Sequence, residues 1–210
     1  MTIFKTVKSS FRKLFSRKVT RGYGLLEFFL AVQRAKLANK LILAQCKTGR
    51  VLDIGCSSYP IFLLTANFVE KFGLDKIKFN NSHYLKRFSF IHYDIEEKAD
   101  LSLEKDFFDV VTMLAFLEHI EYEKLNIFLK QVFSAVRPGG ICIITVPSPW
   151  THHLLCVLSK FSLISKVEIA EHKTNLRKRE LLSLLSNAGF KNIKFGYFEF
   201  FMNRWIVCLK

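Results

Sequence analysis

Three acidic side chains lie at or near the ends of three short apolar runs, at intervals that suit the binding of a nucleoside. Asp53 lies in the run VLDI, Asp75 follows FGL, and Asp94 follows HY. If each run is a strand of one parallel sheet, the three carboxylates lie at its carboxyl edge, where α/β sheets bind their ligands. Asp75 comes 20 residues after Gly55, a spacing at which an acid can accept hydrogen bonds from ribose hydroxyls. Asp94 is placed to receive an adenine amino group, and Ile95 to pack on the ring.

The segment GCSSYP, after the first run, is expected to turn the chain beneath the ligand. Gly55 permits a tight turn, and the helix predicted to start near Pro60 would point its N-terminus at the same place. An Asp after a strand is often only a turn or helix cap. The ordered set of three is stronger evidence than any one of them. The other residues expected to border the ligand are Cys56, Ser57, Tyr59, Lys76 and Leu114.

Alternating apolar runs and amphipathic segments must position these side chains. The runs predict five strands, over residues 51–54, 71–74, 88–93, 107–113 and 141–146. Helices are predicted over residues 4–15, 23–46, 61–68, 122–136 and 178–187, the last of them capped by Gly189. Two further strands, over residues 191–198 and 201–209, follow each other so closely that they must form a hairpin. The expected fold is therefore an α/β, Rossmann-like, doubly wound sheet of seven strands. It is mostly parallel, with a C-terminal antiparallel hairpin and helices on both faces.

The order of these motifs resembles the class I S-adenosylmethionine-dependent methyltransferase family. The matching segments are VLDIGC, GLD, YDI, FDVVTMLAFLEHI, AVRPGGICIITVPSP, and LLSLLSNAGF with the terminal hairpin. The similarity covers residues 50–210 and is greatest to small-molecule members of types 11 and 23. It implies a cytoplasmic enzyme that uses S-adenosyl-L-methionine. It also implies that the predicted ligand residues bind this cofactor.

One departure from the family pattern keeps an alternative open. The family's first loop usually has G-x-G-x-G, and those positions are here Gly55, Ser57 and Tyr59. The alternative function is a non-catalytic, methyltransferase-like binding module with a degenerate cofactor loop. A nicotinamide-dependent reductase is disfavoured because its G-x-G-x-x-G fingerprint has only one Gly here. DNA base methylation is disfavoured because LAFLEH follows the fourth strand where N-P-P-[YF] would stand.

Several side chains are expected around the acceptor. His119 and His152 are the candidate general bases, and Glu118, Trp150 and His153 are candidate substrate contacts. A base is needed only if the acceptor must lose a proton, and no metal is required because the sulfonium methyl is already activated. Two interpretations stay open for His119, which is either the base or a hydrogen-bonding residue of its loop. Residues 148–175 form either an apolar lid over a lipid-linked acceptor or ordinary core packing.

The net charge of +14 is concentrated at the N-terminus. Residues 1–21 contain seven of the 32 Lys and Arg and no acid, which argues for a local basic arm ahead of a domain over 22–210. The amphipathic arm is either a peripheral contact with anionic lipid at the inner face of the membrane or a solvated tail. A transit peptide is a weaker alternative. A broad nucleic-acid surface is disfavoured, and the acceptor is expected to be a small molecule, free or linked to sugar or lipid.

Overall fold

The computed structural model describes residues 26–42, 46–77, 87–95, 100–151 and 172–210. The predicted arm over 1–21 and most of the predicted lid, including His152 and His153, lie outside these residues. The roles expected for them therefore stay predictions.

A single seven-stranded sheet forms the centre of the described fold and confirms the predicted architecture. The first five strands are parallel, whereas the last pairs antiparallel with both of its neighbours. The order across the sheet is β3-β2-β1-β4-β5-β7-β6. The strands are β1 Arg50–Ile54, β2 Glu70–Asp75, β3 Ser89–His92, β4 Phe108–Leu114, β5 Val136–Pro147, β6 Lys191–Phe198 and β7 Asn203–Leu209.

Helices cover both faces of this sheet because its inner strands are apolar on both sides. Among the described residues they are α1 Glu27–Leu41, α2 Ile61–Thr65, α3 Tyr122–Ala135 and α4 Lys178–Ala188, with 3-10 turns at Leu117–His119 and Pro149–Thr151. Helices α1 and α2 share one core with alternate strand residues such as Val51 and Val110. Helices α3 and α4 pack in the other core, against Leu52 and Val111. No described helix combines the length and apolarity that crossing a membrane requires.

Helix α1 ends at Leu41, before the predicted residue 46, and strand β7 begins at Asn203, after the predicted residue 201. Two further differences in length have identifiable reasons. Strand β5 begins at Val136, before the predicted start, because Val136 pairs with Phe108 of β4 and the backbone of Gly139 and Gly140 pairs with Lys210. Helix α2 ends at Thr65, earlier than predicted. The Lys71 ammonium on β2 donates to the carbonyls of Leu63 and Ala66 at 2.9 and 3.0 Å, which satisfies the exposed carbonyls of this helix end. Both changes leave the loops at the carboxyl edge in place.

Candidate functional site

A cavity of about 1050 Å³, counting its open mouth, lies at the carboxyl edge of β1, β2 and β4. Every residue predicted to border the ligand lines it: Asp53, Gly55, Cys56, Ser57, Tyr59, Asp75, Lys76, Asp94, Ile95 and Leu114. The candidate base His119 lines the same cavity. The sequence order therefore places eleven residues around one space.

Asp75 is fixed by the backbone at the end of β2. Its two carboxylate oxygens accept hydrogen bonds from the backbone N–H groups of Ser57 and Ile77, at 2.8 and 2.9 Å. The residue is buried, yet its side chain still borders the cavity. Each carboxylate oxygen can accept a second hydrogen bond. The group is thus held in one orientation with acceptor capacity left for a ligand.

Asp53 lies deeper, one strand away, and is buried. The Thr112 hydroxyl on β4 donates to its Oδ1 at 2.6 Å. Burial raises the pKa of Asp53 to about 7; the Thr112 hydrogen bond opposes this shift, and the charge of Asp75 adds to it. Burial, with the charges of Asp53 and Asp75, also keeps the pKa of the Cys56 thiol well above its usual value. The Cys56 thiol is therefore neutral. It forms part of the cavity wall and does not act as a nucleophile.

Replacing Asp53 by asparagine is expected to flatten the pH dependence of stability. In the folded chain the pKa of Asp53 is about 7, against an ordinary value of 3.8. As the pH rises, the Asp53 carboxyl therefore loses its proton at a lower pH in the unfolded chain than in the folded chain. The contribution of the protonated Asp53 to the free energy of unfolding is complete below about pH 4 and is lost as the pH rises to about 7. The loss is of the order of 4 kcal/mol at most, at about 1.36 kcal/mol per pH unit. Asparagine keeps an oxygen for Thr112 and has no proton to lose.

Denaturant unfolding of both proteins between pH 4 and 8 would measure this effect. The free energy of unfolding of Asp53→Asn, relative to that of the wild type, should increase as the pH rises. Asp106→Asn serves as the control, since Asp106 is exposed and lies at the opposite edge of the sheet. Parallel profiles for the wild type and Asp53→Asn would contradict the buried, protonated state.

The loop after β1 has the backbone geometry of a glycine-rich turn, although it has only one glycine. Gly55 has a φ of +79°, and a Cβ added there would lie 2.4 Å from the Phe116 ring. Ser57 has a φ of +62°, in the left-handed region that glycine normally occupies. The N–H groups of Gly55 and Cys56 both point to the Leu74 carbonyl, at 2.8 and 3.3 Å. Ser57 thus follows the path of the missing glycine at a cost of about 1 kcal/mol or more.

The far wall of the cavity comes from residues that the sequence did not single out. Helix α1 contributes Ala31, Arg34 and Ala35, and the loop after β4 contributes Phe116 and Ile120. Small side chains on α1 let the helix approach the sheet closely, and Arg34 adds a cation to the cavity wall. The 23–46 segment predicted a helix, but its own periodicity does not reveal which strands it covers.

A second, smaller cleft opens beside His119. Apolar atoms make up slightly more than half of its exposed wall, but six of its seven residues carry polar side chains: Pro147, Ser148, Thr151, His172, Lys173, Thr174 and Asn175. The N–H groups of Lys173 and Thr174 donate to the Glu118 carbonyl at 2.9 and 3.1 Å, which fastens the 172–175 segment to the loop after β4. The His172 ring meets the His119 ring edge to face, with centroids 5.1 Å apart. His119 therefore stands between the cavity and the cleft.

Glu118 and Trp150, both predicted acceptor contacts, take different positions. Glu118 is buried beside the cleft, and its carboxylate is close enough to favour the charge of buried Arg204. Trp150 is 57% exposed and lines neither the cavity nor the cleft. Phe200 and Phe201 are exposed as well, in the turn between β6 and β7 at the same edge of the sheet. The Ser148 hydroxyl donates to the Phe201 carbonyl at 2.7 Å, which ties this turn to the end of β5.

Comparison with known proteins identifies the family. A family model described as a methyltransferase domain matches residues 28–194. The chain belongs to this family. The match begins within α1 and ends within β6, so this methyltransferase domain includes the helix that forms the far wall of the cavity.

Solved methyltransferases share the fold at low sequence identity. A SAM-dependent methyltransferase from Archaeoglobus fulgidus superposes with a TM-score of 0.63 at 20% identity, over 86% of this chain and 94% of that one. An S-adenosylmethionine-dependent methyltransferase from Mesorhizobium loti gives a TM-score of 0.61 at 16% identity, over 84% and 98%. Among curated proteins, none matches the chain.

S-adenosylmethionine is the cofactor of this family, and the cavity fits it chemically. A fixed carboxylate suits the ribose diol, and the narrow passage at Gly55 leaves no room for a Cβ beside Phe116. The cavity is also lined by acidic side chains and by the cations of Arg34 and Lys76, groups that can pair with the opposite charges of the cofactor. The predicted fold and cofactor are confirmed.

Proposed function

We propose that this methyltransferase transfers the methyl group of S-adenosylmethionine to a hydroxyl oxygen of a small acceptor, free or linked to a sugar or lipid. The observation that supports the proposal is the polar cleft beside His119. Its walls offer hydroxyl, amide, imidazole and ammonium groups, which suit an acceptor that carries hydroxyls. Because His119 lines the cofactor cavity, an acceptor in this cleft would reach the methyl group there.

Within this proposal the cofactor is held along the sheet edge. Asp75 accepts hydrogen bonds from the ribose hydroxyls, while Asp94 and Ile95 contact the adenine. Arg34, on the opposite wall, takes the methionine carboxylate. The other predicted residues supply the remaining contacts of the cavity.

The cofactor supplies an activated methyl group on a sulfonium, and the protein supplies alignment. The chain's own residues must bring the acceptor oxygen into line with the methyl and sulfur and keep water out. The loop formed by Gly55, Ser57 and Tyr59 shapes one side of this space, and Phe116 and Ile120 shape another. A hydroxyl must also lose its proton, and the group nearest to both spaces is His119 with its neighbours Glu118 and His172.

The surroundings of the cleft favour a sugar-like acceptor head, with room for an apolar attachment. The polar groups of the cleft would hydrogen-bond to the sugar-like head of the acceptor. The exposed aromatic side chains of Trp150, Phe200 and Phe201 lie at the same edge and suit the apolar part of a sugar ring or a lipid chain. Contact of residues 1–21 with a membrane, and a cytoplasmic location, stay predictions of the same proposal.

Labelled cofactor provides the test of oxygen methylation. The full chain is incubated with methyl-labelled S-adenosylmethionine and a panel of sugars, phenols, amines and carboxylates, with and without a lipid attachment. We expect label in an alkali-stable methyl ether, located by fragmentation in a mass spectrometer. At a cofactor concentration near the wild-type Kd, transfer by Asp75→Ala, the control with weakened cofactor binding, should fall sharply. Label found only on nitrogen, carbon or an alkali-labile ester would contradict the proposal.

The alternative, a non-catalytic binding module, is favoured by one observation. Ser57 and Tyr59 replace two glycines of the family loop, and Ser57 adopts a strained φ. A chain that binds no S-adenosylhomocysteine by calorimetry, at any attainable concentration, would support this module and exclude the enzyme.

A further inference from the structure

Three side chains with metal-ligating atoms converge where the cofactor cavity meets the cleft. Glu118 and His119 lie in the 3-10 turn after β4, and His172 approaches them across the cleft. The ligand atoms of the three residues all lie within 4.8 Å of one another. The backbone bonds from Lys173 and Thr174 to the Glu118 carbonyl hold the two segments together. The cluster is therefore built into the fold and does not depend on a chance meeting of surface side chains.

The environment of His119 points to a ligand on its ring. Its Nδ1 is buried and accepts or donates no hydrogen bond to any described group. A buried polar atom left without a partner is unfavourable. Coordination of a cation through the lone pair of this nitrogen would satisfy it.

We propose that Glu118, His119 and His172 bind one divalent transition-metal ion, with zinc the first choice, whose open position takes the acceptor hydroxyl. This inference rests on the hydroxyl acceptor proposed above. Two imidazoles and one carboxylate form the ligand set of catalytic zinc sites, which keep a fourth position open for water or substrate. Binding would draw the three ligand atoms together by side-chain rotation, since zinc–ligand bonds are about 2.0–2.2 Å long.

The ligand types favour a transition metal over magnesium or calcium, although two cations lie near the cluster. Hard cations need several oxygen ligands, and this cluster offers one carboxylate. Arg204 is 2% exposed, lies near enough to interact with the Glu118 charge, and donates to the Pro147 carbonyl at 2.6 Å. The other nearby cation, Lys173, lies 3.5 Å from a Glu121 oxygen. Binding at such a site depends on the neutral imidazole nitrogens, which first-row transition metals prefer.

The metal would supply the deprotonation that oxygen methylation requires. A hydroxyl that replaces a metal-bound water becomes more acidic and loses its proton to bulk water. The oxygen then forms a bond to the methyl carbon, and the carbon–sulfur bond breaks with its electron pair going to sulfur. The products are the methyl ether and neutral S-adenosylhomocysteine. His119 would then act as a metal ligand, so the general-base role predicted for it would pass to the ion.

Metal titration of the full chain tests the inference. The protein is stripped with a chelator and titrated with zinc by calorimetry, and with cobalt(II) by visible absorption. We expect one ion per chain, with affinity reduced at least tenfold in His172→Ala and in Glu118→Gln. His92→Ala is the matched control, because His92 is an exposed histidine on the edge strand β3 and should leave binding unchanged.

S-adenosylhomocysteine binding by the same proteins separates this inference from the proposed function. His172 does not line the cofactor cavity, so His172→Ala should bind S-adenosylhomocysteine like the wild type and thereby prove folded. A wild type that takes up no ion, or one whose uptake is the same in His172→Ala and Glu118→Gln, overturns the metal site. Methyl transfer to a hydroxyl in the presence of the chelator would then leave the proposed function intact.

Discussion

Asp75→Ala is expected to weaken S-adenosylhomocysteine binding about 100-fold. The wild-type carboxylate is fixed by the N–H groups of Ser57 and Ile77 and keeps acceptor capacity towards the cavity. A hydrogen bond to a charged group contributes about 1.5–3 kcal/mol, and the ribose diol offers two. Losing about 3 kcal/mol corresponds to a factor of about 100 in affinity. Alanine also releases the backbone of the cofactor loop, which adds to the loss.

Calorimetry on three proteins would measure this effect. Asp106→Ala is the matched control: its carboxylate is exposed, pairs with Lys210 at 2.7 Å and lies at the opposite edge of the sheet. It should bind like the wild type. Asp75→Asn should fall between the wild type and alanine, since an amide keeps one acceptor oxygen. Wild-type affinity in a folded Asp75→Ala would remove this residue from the proposed site.

The inner strands could be predicted from the sequence because burial on both faces leaves an apolar run with sharp ends. The predicted bounds differ from those of the structure by one residue at the start of β1 and by one residue at each end of β4. The first residues of β5 could not be predicted in this way. Arg137 and Gly139 are exposed there, and the strand continues because Val136 pairs with Phe108 of β4 and the backbone of Gly139 and Gly140 pairs with Lys210. Pairing between residues so distant in the chain leaves no local pattern.

The cofactor side of the site was predictable for a related reason. In a parallel sheet, the residues that follow successive strands converge at one edge, so strand order alone brings Asp53, Asp75 and Asp94 together. The position of Arg34 required the structure. Helix α1 is a moderately apolar helix whose sequence does not specify where it crosses the sheet. The approach of α1 to β4 and β5 places its side chain on the cavity.

The proposed metal cluster was missed for a third reason. His172 follows Glu118 and His119 by more than 50 residues, without the short spacing that marks most recognisable metal sites. The meeting of these side chains depends on backbone hydrogen bonds from Lys173 and Thr174 to the Glu118 carbonyl. Such bonds involve atoms common to all residues, so side-chain identities do not predict them.

Gly55→Ala is expected to be strongly damaging, and Gly139→Ala is its matched control. Both glycines have nearly the same positive φ, +79° and +78°. The backbone strain introduced by alanine is therefore expected to be similar at the two sites, about 1–2 kcal/mol. Their surroundings differ. A Cβ at Gly139 meets nothing within 4 Å, whereas one at Gly55 lies 2.4 Å from the Phe116 ring. Overpacking of this kind adds about 1–3 kcal/mol.

The difference between the two variants isolates the contact with Phe116. In denaturant unfolding, Gly55→Ala should lose more stability than Gly139→Ala by the overpacking cost alone. In calorimetry, Gly55→Ala should bind S-adenosylhomocysteine at least tenfold more weakly, because the displaced Phe116 ring lines the cofactor cavity, and Gly139→Ala should bind normally. Combining Gly55→Ala with Phe116→Ala removes the overlap, so the two substitutions should couple favourably in a double-mutant cycle. Gly55→Ala and Gly139→Ala could instead lose equal amounts of stability. The positive φ at Gly55, and not the close contact with Phe116, would then be the reason that this position requires glycine.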